Sequence, residues 1–342
     1  MSRSLGLGMA LGLSLGGAFV AGLLFGSVRL APGVVLDAIM ARLTGNEPVD
    51  LTASTIVWAL RMPRVLLALV VGGGLAVVGV GMQALVRNPL AEPYLLGVSS
   101  GASAGASLFY LGFLPPVLST ALSLPLAAFF GALFAMVLVV LVAREGNHLP
   151  TARLLLAGVA LSALFASVTA FVTFASPDAD RMRAVLFWLL GSFAGAQWAS
   201  LWLPLAVALG GSALLWLAAR PLDALLTGED AARALGVPVE RLKWGLIGWS
   251  ALVTGVLVAA AGVVGFVGLI VPHAVRFVVG VSHRRVVPVA FATGGAFLIL
   301  ADLAARTLLA NRELPVGVLT ALCGVPFFLV LLRRSTSGTS AP

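Results

Sequence analysis

The chain is short of nearly everything a soluble enzyme uses. In 342 residues it has one cysteine, Cys323, one lysine, Lys243, and three histidines, His148, His273 and His283. A single cysteine excludes an intrachain disulfide and any cysteine-built metal cluster within one chain. Cys323 sits in an apolar segment and reads as a small packing residue. The histidines lie on separated loops, so no metal site is assigned and no cofactor is expected on this chain. The lone lysine follows Leu242 rather than a glycine. There is then no Walker A phosphate loop, and the chain is expected to hydrolyse no nucleotide alone. Charged residues make up only 10% of the chain, with no Ser-His-Asp set and no paired carboxylates. Within or beside the apolar segments the acidic residues are Glu92 and Asp302, near segment ends, which argues against membrane catalysis. The net charge of +8 is scattered, with no basic run or aromatic-basic interleaving, so it does not point to nucleic acid.

What is present is oil. Hydrophobic residues make up 60% of the chain and the mean hydropathy is +1.09, whereas soluble domains are about half apolar and about a quarter charged. This is an all-α polytopic membrane protein with a single transmembrane domain over 1–342. Each crossing takes about 20 apolar residues for about 30 Å of hydrocarbon. Ten spans are expected, at 5–27, 64–86, 93–112, 121–142, 153–175, 201–219, 245–263, 264–281, 286–307 and 315–332. The first follows Arg3, is too long for a signal-peptide core and lacks a clear cleavage site, so it reads as retained. Pro32 to Leu43 reads as a short amphipathic helix and 44–50 as a polar turn. Residues 184–196 are too short to cross and read as an interfacial or re-entrant helix. The stretch 245–281 is either one long span or two, and Gly262, Gly265, Gly268 and Pro272 argue for two.

Charge supports the same count. With ten spans and both termini cytoplasmic, eight of the 21 basic residues face outward, namely Arg29, Arg42, Arg61, Arg64, Arg181, Arg183, Arg306 and Arg312. The larger share faces the cytoplasm, as the positive-inside bias requires. Nine spans would put Arg333 and Arg334 outside.

Three motif groups stand out. Arg61-Met62-Pro63-Arg64 opens the second span; proline suits a first helical turn and pushes the residue before it out of helical geometry. The two arginines then sit at the outer mouth, either snorkelling to headgroups or pairing with an external acidic partner. Beyond Gln83, the run Arg87-Asn88-Pro89-Leu90-Ala91-Glu92-Pro93 must break the helix. It leads into Gly97, Gly101 and Gly105, a small-residue face with Ser99, Ser100, Ser103 and Ser107 around it, which serves helix packing, substrate contact or both. Gly262 to Pro272 is a second glycine-rich segment ending in a proline break.

The remaining feature is the charged interlude from Arg220 to Lys243. Its core reads as a short helix, with Thr227 capping the first turn, Glu229 and Asp230 at the positive start, and Gly236 with Pro238 at the stop. Ala231, Ala234 and Leu235 form one face, and Ala232 is expected to leave room for a partner as well. The element is a docking site for an ATPase or a solvated connector.

These residues resemble the permease family that imports iron-siderophores, haem and cobalamin together with a binding protein and an ATPase. The resemblance runs from Arg61 to Arg334. It rests on Arg61-x-Pro63-Arg64, on Gln83-x-x-x-Arg87-Asn88-Pro89-Leu90-Ala91-x-Pro93-x-x-x-Gly97, on Gly265 to His273, on Ala301-Asp302-x-x-x-Arg306 and on Glu313-Leu314-Pro315-x-Gly317. It implies a type II ABC importer permease of ten helices, a homodimer with the pathway on its two-fold axis. Two ATPase subunits, carrying ATP and Mg, would dock on the 220–243 loop, where Glu229, Ala232, Leu235 and Gly236 are the coupling candidates. It also implies that Arg61, Arg64 and Arg306 receive acidic residues of a soluble or lipid-anchored substrate-binding protein. Gln83, Asn88, Pro89, Gly97, Gly101 and Pro272 are pathway or packing candidates. The expected location is the inner membrane of a prokaryote. Base rate favours an iron chelate as cargo. Ala91 to Ser99 and Phe187 to Gly191 look similar to cobalamin permeases, and keep cobalamin as the alternative. From another class, an ion-coupled secondary transporter would show charged or unwound sites near the bilayer midplane.

Overall fold

The computed structural model describes residues 2–26, 28–146, 148–309 and 312–337, except for the side chains at 2–5, 7, 331, 332 and 334–337. The orientation signals Arg3 and Arg334 fall among those side chains. Ten principal helices follow the chain: α1 (Ser2–Leu24), α2 (Met62–Val86), α3 (Val98–Tyr110), α4 (Leu124–Ala143), α5 (Thr151–Ala175), α6 (Trp198–Leu217), α7 (Val239–Ala261), α8 (Val267–Val279), α9 (His283–Ala305) and α10 (Val316–Ser337). Each overlaps one expected span. Among the described residues six helical stretches are long and apolar enough to cross a membrane: 51–86, which contains α2, then α4, α5, α6, α7 and α9. Shorter apolar stretches lie in α1, α8 and α10. The two runs 245–263 and 264–281 are indeed two helices. The amphipathic helix is Pro32–Thr44, and the segment too short to cross is a helix over Ala179–Leu189 that begins and ends earlier than expected.

Pro63 does not begin a helix. The chain is already helical from Leu51, and it passes through a π-helical turn at Ile56–Arg61 straight into α2. Met62 keeps helical angles, φ −61° and ψ −52°, and its N–H reaches back five residues to the Val57 carbonyl. The wider turn makes room for a proline ring that would clash with the carbonyl four residues back in a regular helix.

Helix α2 is the central post, its apolar window 89% buried against 22% for α5. Its glycines let backbones touch. A methyl carbon at Gly79 would lie 1.9 Å from the Gly268 carbonyl oxygen of α8, and one at Gly72 would lie 2.2 Å from that of Gly294 in α9. Around the post stand α1, α6, α7, α8 and α9, while α3, α4 and α5 form a second group joined to it mainly through α4 and α7. In that group the small-residue face is a packing face: the Cβ positions of Gly101 and Gly105 run into the Gly131 and Ala127 carbonyls of α4. Cys323 is exposed on α10 rather than packed inside.

Candidate functional site

Three polar centres interrupt this apolar bundle. The first lies where α1 ends and α2 begins. Arg61 is 5% exposed. Its guanidinium donates to the carbonyls of Leu23 at 2.5 Å and Leu24 at 3.0 Å, and to that of Val28. The last carbonyls of a helix have no donor of their own, and a cation there also meets the negative end of the helix dipole. Arg306, 6% exposed, adds a bond from Nη2 to the Gly22 carbonyl at 2.8 Å. Arg64 Nε lies 3.0 Å from both oxygens of Asp302, and its Nη1 lies 2.9 Å from Glu313. Arg306 Nε stands 3.3 Å from Asp302 Oδ2. Asp302 is thus shared by two arginines while only 1% exposed.

The three arginines therefore converge, as the motif reading anticipates, but none is a free surface cation. They line one cleft of about 410 Å³ with Gly26, Leu60 and Glu313. Asp302, buried, pairs with two of the lining arginines, and Glu313, on the chain just before α10, lines the cleft with 35% of its side chain exposed.

The second centre is the 220–243 loop. A short helix covers Ala219–Leu225 and another Glu229–Ala234. Gly228, at φ +117°, occupies the cap position given above to Thr227, whose hydroxyl instead donates back to the Ala224 carbonyl at 2.7 Å. The stop is as expected. Gly236 is left-handed at φ +82°, with its N–H on Arg233 and the Val237 N–H on Ala232, the paired bonds of a Schellman cap. Ala232 corrects the expectation: it is fully buried against Leu225 and Val239 and offers nothing to a partner. Ala231, Ala234 and Leu235 are exposed, Leu235 at 70%. Glu229 holds Lys243 Nζ at 3.1 Å and Arg233 at 3.1 Å, so the buried lone lysine pins the loop helix to α7.

The third centre was hidden in the sequence. The connection after α2 turns sharply at Arg87, which is left-handed at φ 54°. Asn88 Oδ1 then accepts from the Leu90 N–H at 2.9 Å, and a 3₁₀ turn at Pro93–Leu96 precedes left-handed Gly97. The connection between α7 and α8 is likewise unwound, with Phe266 left-handed at φ 68°. The two meet. Glu92 Oε1 accepts the Phe266 N–H at 2.6 Å, and the Tyr94 hydroxyl donates to the Val264 carbonyl at 2.8 Å. Glu92 lies in the connection yet folds inward under the start of α8, and burial raises its carboxyl above the ordinary value against the opposing pull of the Phe266 N–H. Gln83 braces the same junction, donating to the Leu269 carbonyl at 3.3 Å and accepting from Arg276. Pro272 is buried within α8.

Part of the serine face of α3 borders open space rather than a packed helix. Ser100 and Ser103 face Thr169, Thr173, Met182 and Leu186 across a cavity of about 490 Å³. The threonine hydroxyls are bonded to carbonyls of their own helix, at 3.0 and 2.7 Å, which leaves a smooth, mostly apolar wall.

An all-helical membrane bundle with a charged loop pinned to its core, a braced cation mouth and a smooth-walled cavity has the build of a permease that takes its energy from another subunit. The chain belongs to the FecCD transport family, whose model matches residues 14–334. It is 46% identical to the cobalamin import system permease of Halobacterium salinarum over 82% of this chain and 74% of that one. It is 44% identical to the hemin transport system permease of Yersinia pestis, over 80% and 82%. A chain solved in an inward-facing conformation of a metal-chelate type ABC transporter superposes with a TM-score of 0.82 at 31% identity, over 95% of this chain and 98% of that one. The protein is a permease of the metal-chelate ABC importer class. It is the membrane component, without a nucleotide-binding domain, that works with an ATPase and a substrate-binding protein.

Proposed function

We propose that this chain forms a homodimeric permease that passes cobalamin, or a related metal-centred macrocycle, from a binding protein into the cytoplasm. The observation that carries the cargo is the 46% identity to a cobalamin permease over most of the chain. Haem is the second reading, favoured by the 44% identity to a hemin permease. An iron-siderophore has base rate alone behind it. The smooth wall of Ser100, Ser103, Thr169 and Thr173 fits a bulky chelate that must slide without being held. The inner membrane is the proposed location, with both termini in the cytoplasm.

In this reading the cleft of Arg61, Arg64 and Arg306 faces outward and is duplicated by the dimer, each copy receiving the acidic cluster of one lobe of the binding protein. Glu313 occupies Arg64 in the meantime, and an incoming carboxylate takes its place. At the other face Ala231, Ala234 and Leu235 meet the ATPase, with Glu229 and Gly236 setting the shape of the loop. The chain itself has no catalytic residue, and ATP and Mg belong to the ATPase. An ion-coupled carrier would need a charge to titrate along the pathway, whereas Glu92 and Asp302 are both engaged in bracing the fold.

The test is reconstitution in sealed proteoliposomes with its ATPase and binding protein. Radiolabelled cobalamin should accumulate with ATP and should be outcompeted by excess cobalamin but by neither hemin nor a ferric siderophore. Competition by hemin alone would move the assignment to haem, and uptake driven by an ion gradient without ATP would overturn the transport class.

A further inference from the structure

A groove outside the three centres has the makings of a lipid site. It lies between α6 and α9, has a volume of about 400 Å³, and is lined by Leu209, Ser212, Ala213, Trp216, Pro288 and Phe291 among others. The Ser212 hydroxyl is turned away from it in use, donating to the Ala208 carbonyl at 2.6 Å. What remains is a hydrocarbon slot. One end is different. Pro288 lies inside α9 and has no N–H, so the Arg284 carbonyl four residues earlier loses its helical donor. Trp216 supplies the missing bond, its indole Nε1 donating to that carbonyl at 3.1 Å. The same tryptophan carries the Arg284 guanidinium over its ring, 5.6 Å from the centroid. Arg285 follows at once in sequence, and Arg220 is the second residue of the short helix Ala219–Leu225 that continues from α6. All three arginines are exposed, and none forms an ion pair among the described residues.

We propose that this groove binds one anionic phospholipid, its acyl chain along Leu209, Ala213 and Phe291 and its phosphate at Arg284 and Arg285. The argument is charge and shape together. An apolar slot capped by an interfacial tryptophan and unpaired arginines matches a molecule with a long hydrocarbon tail and a negative head, and basic pockets between membrane helices hold such headgroups. The indole bond to the Arg284 carbonyl fixes the mouth in advance, so little is lost in ordering it. Placing the site in the cytoplasmic leaflet rests on the orientation proposed above, whereas retention of the lipid does not. The position carries a consequence, because the headgroup would sit at the root of the 220–243 loop. There Asp223 accepts from the His283 N–H at 2.9 Å and ties that loop to the start of α9.

The experiment is native mass spectrometry of the full chain, purified in detergent and titrated separately with phosphatidylglycerol and phosphatidylcholine. One phosphatidylglycerol per chain should be retained at concentrations where phosphatidylcholine is not. The R284Q/R285Q variant should bind it about thirtyfold more weakly, from about a fivefold loss per arginine. Ala213→Trp, which fills the exposed slot and leaves the arginines in place, should also abolish retention. Both variants must elute and melt like wild type, and the second guards against a fold defect in the first. Equal retention of the two lipids, or wild-type retention in both variants, overturns the proposal. So does equal protection by inorganic phosphate, which would reveal an anion site without a tail, or an α6 cross-link to a second copy of the chain through the groove.

Discussion

Arg64 and Asp302 are 238 residues apart in sequence, yet the arginine Nε stands 3.0 Å from both oxygens of the carboxylate, joining the start of α2 to the end of α9. That one carboxylate is shared by the buried Arg306 and the partly buried Arg64. Asp302→Ala is therefore expected to destabilise the protein by about 3–5 kcal/mol, the usual cost of leaving buried charge uncompensated. Thermal unfolding in detergent would check it, and Asp302→Asn should fall between the two.

Glu313 is the weaker partner of Arg64, because it is partly exposed. Exposed pairs contribute about 0–1 kcal/mol, so Glu313→Gln should leave the melting temperature nearly unchanged. If the cleft receives a carboxylate from the binding protein, the variant should bind that protein up to about fivefold more tightly. The gain should shrink at high salt. Weaker binding by a folded Glu313→Gln variant would remove Arg64 from the docking contact.

At the loop, Ala232 and Leu235 separate packing from docking. Leu235→Asp alters a side chain that is 70% exposed and should lower transport-coupled ATPase activity while the permease melts as before. Ala232→Trp forces bulk into a filled cluster and should destabilise the loop by roughly 1–3 kcal/mol. Limited proteolysis of the permease alone should then cut within 220–243. An unaltered ATPase rate in folded Leu235→Asp would leave the loop as a connector.

Glu92 makes a pH-dependent forecast. Its carboxyl holds its proton more tightly in the folded protein than in the unfolded chain. Between the unfolded value and the higher folded one, the native state binds more protons, so stability falls as pH rises through that window. The contribution is complete below the unfolded value. Glu92→Gln keeps an acceptor for the Phe266 N–H without the charge. It should melt at the same temperature or higher at pH 7 and show a flatter profile from pH 4 upward. A steeper profile would contradict the assignment.

The placement of all ten helices was legible because hydrocarbon thickness sets a length that composition reveals directly. The helix stop at Gly236 was legible too, since only a left-handed turn suits that glycine between two periodic runs. The partners of the arginines were not. Asp302 and Glu313 reach Arg64 across almost the whole fold, and no local spacing encodes a contact of that range. Ala232 was misplaced because a helix of six residues is too short for periodicity to say which side faces in. The π-helical turn before Pro63 left no sign of its own, and the Glu92 to Phe266 bond depends on two unwound segments whose meeting is decided by the packing of α2 against α8.

Those two segments have a consequence for how the protein is made. Helices α3 and α8 have 13 residues each. At 1.5 Å per residue they are about 20 Å long, roughly 10 Å short of the hydrocarbon layer. The missing length is Pro93–Leu96 in one case, a 3₁₀ turn bonded within itself, and 262–266 in the other, where the Val264 carbonyl and the Phe266 N–H bond to the Tyr94 and Glu92 side chains rather than to the next helical turn. Bare peptide groups in lipid cost several kcal/mol each. The start of α8 therefore settles in the bilayer only against Glu92 and Tyr94. Those partners are made about 170 residues earlier, so the connection between α2 and α3 already stands in place when the unwound start of α8 is synthesised.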